Sequence, residues 1–428
     1  MPNVLIVNYS DGEGGADRAA YRLHRGLTGL GITSRLLVQK KLNDDPFVIG
    51  PEGKIAKACA LLRPFLDAVP LSLYRHRNRQ SLFSLGWLPG RVASQVARWQ
   101  PEVVHLHWIC NGFVPIGALS QMHRSLVWTL HDCWAFTGGC HYPLDCTRYH
   151  QNCGCCPQLN SSSENDLSRW EWQRKSAHWQ SLELTVVTPS RWMADCAKAS
   201  SLFQRAHIEV IPNGLDLTRY KPIDRQLGRS LLGLPEHQKL ILVGALQIMS
   251  DVRKGFIHLQ NALQALASQG WRENVRLVVF GASEPASPPP MGLEVQYLGT
   301  LHDDISLALV YGAADVFVAP SIQDNLPNTV MESMACGTPT VAFNIGGMSD
   351  LIDHLQDGYL ARPLDTADLA QGIDWVLSDN ERHARIAAAA RSKMERQFEI
   401  SLVARRHLDL YQQLISGNAR LANTTQIS

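Results

Sequence analysis

The chain has 428 residues, enough for two or three domains with full cores, and its 45% hydrophobic and 18% charged content is that of a folded globular protein. A formal net charge of +1 excludes a general pull toward nucleic acid, so a polyanion would need a local patch. The longest apolar stretch, residues 55–74, is broken by Lys57, Arg63, Pro64, Asp67 and Pro70, which excludes a conventional spanning helix.

Met1, Pro2 and Asn3 lead into VLIV, too short for a signal-peptide core and without a basic segment before it, so a soluble cytoplasmic chain is expected. VLIVN (4–8) reads as a buried parallel strand and SDGEGGAD (10–17) as a glycine-rich loop. Ala16, Ala20, Leu23, Leu27 and Leu30 then mark one helical face, with Gly31 at its stop. SRLLV (34–38) is the next strand. Residues 54–79 mix apolar side chains with Lys54, Lys57, Arg63, Arg75, Arg77 and Arg79, which suits either an interfacial membrane contact or a surface helix with a basic loop. VVHLH (103–107), LVWTL (126–130) and LTVVT (184–188) complete a doubly wound α/β pattern.

After the turn-rich segment 211–222 the cycle restarts, with LILVG (240–244), RLVVFG (276–281), VQYLG (295–299), DVFVAP (315–320) and PTVAF (339–343). Residues 366 to about 415 read as helices, and 419–428 as a frayed end. The expected division is 1–210, 211–395 and 396–428: two Rossmann-like domains joined near residue 213, then a C-terminal helix and tail.

Six of the ten cysteines fall in 133–156. In a cytosolic chain such clustering points to metal before disulfide. Cys140, Cys146, Cys153 and Cys156 admit a tetrathiolate structural zinc site, with Cys155 and His141 as replacements. Reduced thiols packing a loop, disulfides and an iron–sulfur centre are the other readings.

The densest chemistry is DNLPNTVMESMACGTPTVAFNIGG (324–347). A strand delivers Asp324 to a loop, Asn328 is placed to cap a helix, Glu332 follows one turn inside, and Gly337 ends it. A helix start at the mouth of a parallel sheet suits phosphate, and carboxylates beside it suit sugar hydroxyls. This stretch, with IPNGLD (211–216) and YGAADVFVAPS (311–321), resembles the acid-x7-acid signature, linker and approach of family 4 glycosyltransferases, retaining enzymes of the GT-B architecture. The resemblance implies an α/β fold of two Rossmann-like domains facing across a cleft, with C-terminal helices. Asp324 stands where the family commonly has Glu. VGALQIMSDVRKGF (243–256) is similar to the family's first strand and loop of the second domain, with Ala245 in a slot often filled by Arg.

By resemblance, Lys254 and Arg253 reach the donor diphosphate, as do the backbone amides near 326–329, and Asn325, Leu326, Pro327, Asn328 and Thr329 count as donor-binding. Asp324 takes the hexose and Glu332 the ribose. Gly14 and Gly15 line the ligand side of the first domain, and His131, at the tip of WTLHD, sits beside the reacting sugar. His105 reads as core; His107 is open between core and cleft wall. The function implied is a retaining, metal-independent transfer of a hexose from a nucleoside-diphosphate sugar to a glycan or lipid-linked glycan, as in bacterial surface polysaccharide assembly. It requires no catalytic cofactor and is cytoplasmic, with a peripheral membrane contact admitted. A nucleotide-sugar epimerase of similar fold and a zinc-organised binding module on an inactive scaffold are the alternatives.

Overall fold

The computed structural model describes residues 2–244, 251–301 and 303–425, with side chains up to residue 417. The chain divides into two compact units, Met1–Gly214 with Ile400–Ser428, and Leu215–Glu399. Among the described residues each is built on one fully parallel sheet.

In the first unit the strands are β1 (Asn3–Ser10), β2 (Thr33–Lys40), β3 (Val48–Ile49), β4 (Val103–Leu106), β5 (Ser125–Thr129), β6 (Leu184–Thr188) and β7 (His207–Val210). They lie in the order β3-β2-β1-β4-β5-β6-β7. The helices are α1 (Gly15–Gly29), α2 (Gly53–Asp67), α3 (Val92–Trp99), α4 (Leu167–Trp179) and α5 (Arg191–Ala199). Strand periodicity sorts the apolar runs into two cores. Leu5, Val7, Leu37, Val104 and Leu106 join one cluster, while Val4, Ile6, Leu36, Val38 and Val103 join the other. Two-sided burial is why these strands read as continuous apolar runs.

The second unit holds β8 (Lys239–Gly244), β9 (Val275–Phe280), β10 (Glu294–Tyr297), β11 (Val316–Ala319), β12 (Thr340–Phe343) and β13 (Gly358–Ala361). Their order is β10-β9-β8-β11-β12-β13. Its helices are α6 (Arg225–Leu232), α7 (Phe256–Leu266), α8 (Asp304–Ala313), α9 (Asn328–Ala335), α10 (Met348–Leu351), α11 (Thr366–Leu377) and α12 (Asn380–Gln397). Leu240, Leu242 and Phe317 enter one core; Ile241, Val243, Val316 and Val318 enter the other. In both sheets the order reverses beside the first strand, at β1/β4 and β8/β11. In open α/β sheets, ligands bind off the carboxyl ends of the strands at such a point.

The last helix, α13 (Ile400–Thr425), packs on the first unit, where Val403, Ala404, Leu410 and Tyr411 enter the core with β1, β2 and β4. A Cβ on Gly26 of α1 would come within 2.9 Å of Ile400, so this packing requires the glycine. Where a frayed tail is expected from residue 419, the helix continues to Thr425. Strands β3, β7 and β13, four residues or fewer, were not anticipated; the expected strands are otherwise present with ends displaced by at most two residues.

Candidate active site

In the second unit three loops meet off the strand ends. The loop after β11 carries Asp324 into α9. Pro327 occupies the cap position and Asn328 is the first helical residue, so the helix begins one residue later than an Asn328 cap implies. Proline there fixes φ and leads an extended residue into the first turn. Gly337, at φ +74°, ends the helix as expected.

The loop after β8 returns through a single 3-10 turn at Val252–Lys254, capped by Asp251. It is pinned to the β11 loop where the Ile322 amide donates to Arg253 O at 2.7 Å. Gly255 is left-handed, φ +67°, and a Cβ there would lie 1.9 Å from Pro320 O. The loop after β12 closes the set: the Gly347 amide donates to Asp324 O at 3.1 Å, and a Cβ on Gly346 would lie 2.1 Å from the same oxygen. Two glycines therefore exist for close backbone approach.

These loops bring together residues that sequence reading paired only by resemblance. Lys254 Nζ donates to Asp324 Oδ2 at 2.7 Å. Burial pushes the Asp324 carboxyl up, but the Lys254 charge and hydrogen bond outweigh it and hold the group below its ordinary range. Glu332 is buried and accepts from Tyr311 Oη at 3.0 Å. Asn325, Leu326 and Pro327 are buried, while Asn328 and Thr329 are half-buried at the helix start. Arg253 turns its guanidinium to Asp251. Ala245 lies outside the described residues. The arrangement offers a cation, an aligned helix start and two fixed carboxylates within one loop cluster.

In the first unit, the Gly14–Gly15 turn begins α1, with the Gly14 amide donating to Asp17 Oδ2 at 2.9 Å. Asn8 ties this turn to the β4 loop: its side chain donates to Asp17 Oδ1 and accepts from the Trp108 amide. Desolvation raises Asp17 to about 6. His131, at the end of β5, is half-buried with Nε2 2.9 Å from Nδ1 of His107, and burial lowers its pKa to about 4, so both rings are neutral near pH 7. His105 is core as expected, bonded to Tyr411 Oη and Thr129 Oγ1. A larger recess of about 490 Å³ opens by Ser125 and Glu183, the amino ends of β5 and β6, the end of the sheet opposite His131.

Cys140, Cys146, Cys153 and Cys156, the expected tetrathiolate zinc set, line one cavity of about 20 Å³. Among the described residues no three His, Cys, Asp or Glu side chains are placed to hold a metal ion. Burial pushes Cys153 up to about 12 and Cys156 to about 11, the range of neutral thiols. The replacements are engaged elsewhere. His141 bonds Asp132 at 2.7 Å and Ser84 at 2.9 Å, and Cys155 donates to Ser162 O. Asp132 organises the segment, accepting also from the Trp108 indole and the Trp134 amide. Burial pushes its carboxyl up, but His141 and those donors hold it below the usual range.

Three residues escaped sequence reading: Tyr311, Gly255 and Asp17. Only Gly255, directly after the basic pair, carried a local signal.

A sequence profile described as Glycosyltransferase Family 4 matches residues 13–219, and one described as Glycosyl transferases group 1 matches residues 237–379. A D-inositol 3-phosphate glycosyltransferase of Rhodococcus opacus is 32% identical over 195 residues, 43% of this chain and 43% of that protein. The match thus spans less than half of that relative's length. Among solved structures, sucrose-phosphate synthase from Thermosynechococcus elongatus aligns with TM-score 0.70 at 18% identity, over 97% of this chain and all of that one. Anabaena Alr3699/HepE in complex with UDP-glucose aligns with TM-score 0.63 at 17% identity, over 96% of this chain and all of that one.

Proposed function

The chain belongs to the family 4 glycosyltransferases and has the GT-B fold; from that premise we propose that it transfers a hexose from a nucleoside-diphosphate sugar to a glycan or lipid-linked glycan acceptor, with retention at the anomeric carbon. One observation carries the donor assignment: the Lys254–Asp324 pair, 2.7 Å long, at the strand ends beside the start of α9. Lys254 and the helix start receive the diphosphate, Asp324 the hexose and Glu332 the ribose. The acceptor is assigned to the first unit, through the Gly14–Gly15 turn and His131.

In the reaction, the acceptor hydroxyl oxygen bonds the anomeric carbon as the bond to the phosphate oxygen breaks. The departing phosphate oxygen takes the hydroxyl proton on the same face, which gives retention without a separate base. The negative charge that develops on the diphosphate is met by groups already in place, and such preorganised donors supply much of an enzyme's rate. Lys254 and the start of α9 offer the leaving group positive charge from the chain itself, which supports turnover without a metal ion.

A bound UDP-glucose in the HepE structure makes UDP-hexoses the first donors to try. Thermal stabilisation by a panel of UDP-, GDP- and ADP-hexoses reads the nucleotide. The product's anomeric configuration by NMR, and turnover in the presence of EDTA, test the other two parts. No stabilisation by any member, or an inverted product, overturns the corresponding claim.

A further inference from the structure

Residues 103–110, strand β4 and the turn after it, are buried apart from Trp108, which is half-buried. In β1 the half-buried Tyr9 likewise stands between Asn8 and Ser10, both fully buried. The two aromatics lie at the carboxyl ends of the strands on either side of the β1/β4 reversal, the place where an open parallel sheet takes its ligand. They pack edge to face, ring centres 5.5 Å apart at 82°.

Every polar group of Trp108 is already engaged. Its amide donates to Asn8 Oδ1, its carbonyl accepts from the Tyr9 amide, and its indole N–H donates to Asp132 Oδ2, each at 2.8 Å. The His141 ring, 5.5 Å away, closes another side. The indole is thus held in one orientation, and what it leaves open to solvent is carbon.

A fixed apolar surface with polar borders narrows the ligand. Asn8 and Asp132 bond to Trp108 directly, and His131 precedes Asp132 at the end of β5. A lipid chain there would lay hydrocarbon against these polar side chains, leaving them without water. A pyranose ring matches both parts. Its C–H bonds meet the negative face of the indole, and the hydroxyls around its edge meet the polar neighbours.

We propose that Trp108, pinned by Asp132 and backed by Tyr9, stacks on the terminal pyranose ring of the acceptor and so selects a glycan end over a bare lipid alcohol. This rests on the transferase reading above and names the chemistry of the acceptor's reacting end.

The test is saturation-transfer NMR of the full chain with the octyl β-pyranosides of glucose, galactose, mannose and N-acetylglucosamine, and with octyl glycerol as the lipid control. The expected result is ring C–H signals from at least one pyranoside. Trp108→Leu, which removes the flat face, lowers them at least about fivefold, within the worth of one aromatic stack. Trp108→Phe, the milder change, keeps a smaller face and retains about half of them. Donor-induced thermal stabilisation, a property of the second unit, is unchanged in both variants. Signals confined to the octyl chain and shared with octyl glycerol overturn the proposal, as do signals indifferent to both substitutions. Equal loss in the two variants assigns the effect to disturbed packing and overturns it too. With donor-induced stabilisation intact, these failures strike the acceptor assignment alone; a wild-type chain that no donor stabilises fells the transferase reading and the proposal with it.

Discussion

Lys254 has a single acidic partner within hydrogen-bond reach, Asp324, and an ammonium has three protons to give. A diphosphate can therefore join the pair without displacing it, and Asp324 keeps the cation aimed. Lys254→Ala is expected to lower turnover by about 10²–10³-fold, the usual cost of one preorganised donor. A transfer assay on the best donor measures it, and near-wild-type turnover would remove Lys254 from the mechanism. His107 permits a second argument. Among the described residues its Nε2 is buried with no hydrogen-bond partner, and an orphaned N–H costs more than an orphaned lone pair. The proton is thus on Nδ1, donated to His131 Nε2, and His131 carries its own proton on Nδ1. His107→Phe should lower turnover about tenfold, the worth of one such bond. His107→Asn, whose amide nitrogen reaches the Nδ1 position, should recover most of it. Equal losses in both variants would mean that His107 only fills space.

The loops off β8, β11 and β12 are one mechanical part, and how much of them the sequence discloses differs by feature. The acid-x7-acid spacing is a property of nine consecutive residues, so Asp324 and Glu332 could be found by inspection. The Lys254–Asp324 bond joins residues 70 apart and exists only after β8 and β11 pair, so spacing alone could not yield it. Tyr311 was hidden for the same reason: α8 must pack on α9 before its hydroxyl meets Glu332. The cysteines are a different case: a C-x-x-C half-site fixes where two thiols start, and only the folded segment brings Cys140 and Cys146 to the same cavity as Cys153 and Cys156. The short strands β3, β7 and β13 lack a long apolar run and are defined by their neighbours. Gly255 tests the mechanical reading. Gly255→Ala adds a Cβ at φ +67° against Pro320 O, which should destabilise the second unit by about 1–3 kcal/mol and reduce donor-induced stabilisation. Calorimetry with and without donor measures both; an unchanged melting temperature would mean that the loops are not locked together.

At the scale of the molecule, the two units differ in how they answer to acid. In the first, His24, His105, His107, His131 and His407 all have pKa values lowered chiefly by burial, the last two to about 4. Between pH 6.5 and about 4 the unfolded chain holds protons on these rings that the folded unit refuses. Their contribution to stability is therefore complete above 6.5 and is lost as pH falls through that window. For His407 alone the change from 6.5 to about 4 amounts to about 3 kcal/mol. Asp17, Asp67 and Glu171 run the other way, raised by burial, Asp17 to about 6 and Glu171 to about 8, so the folded unit binds their protons more tightly and gains from acid. Five rings against three carboxyls leave a net loss below pH 6.5. In the second unit, burial lowers His383 alone among the described histidines with a resolved shift. Nine of the 11 tryptophans lie in the first unit, outside it only Trp271 and Trp375, so indole fluorescence reports mainly on that unit. Titration from pH 7 toward 4 should show fluorescence unfolding ahead of the loss of total helix seen by circular dichroism. His407→Phe, which removes one of the five rings, should move the fluorescence midpoint to lower pH. Coincident transitions, or a midpoint indifferent to that substitution, would place the acid sensitivity outside the buried histidines.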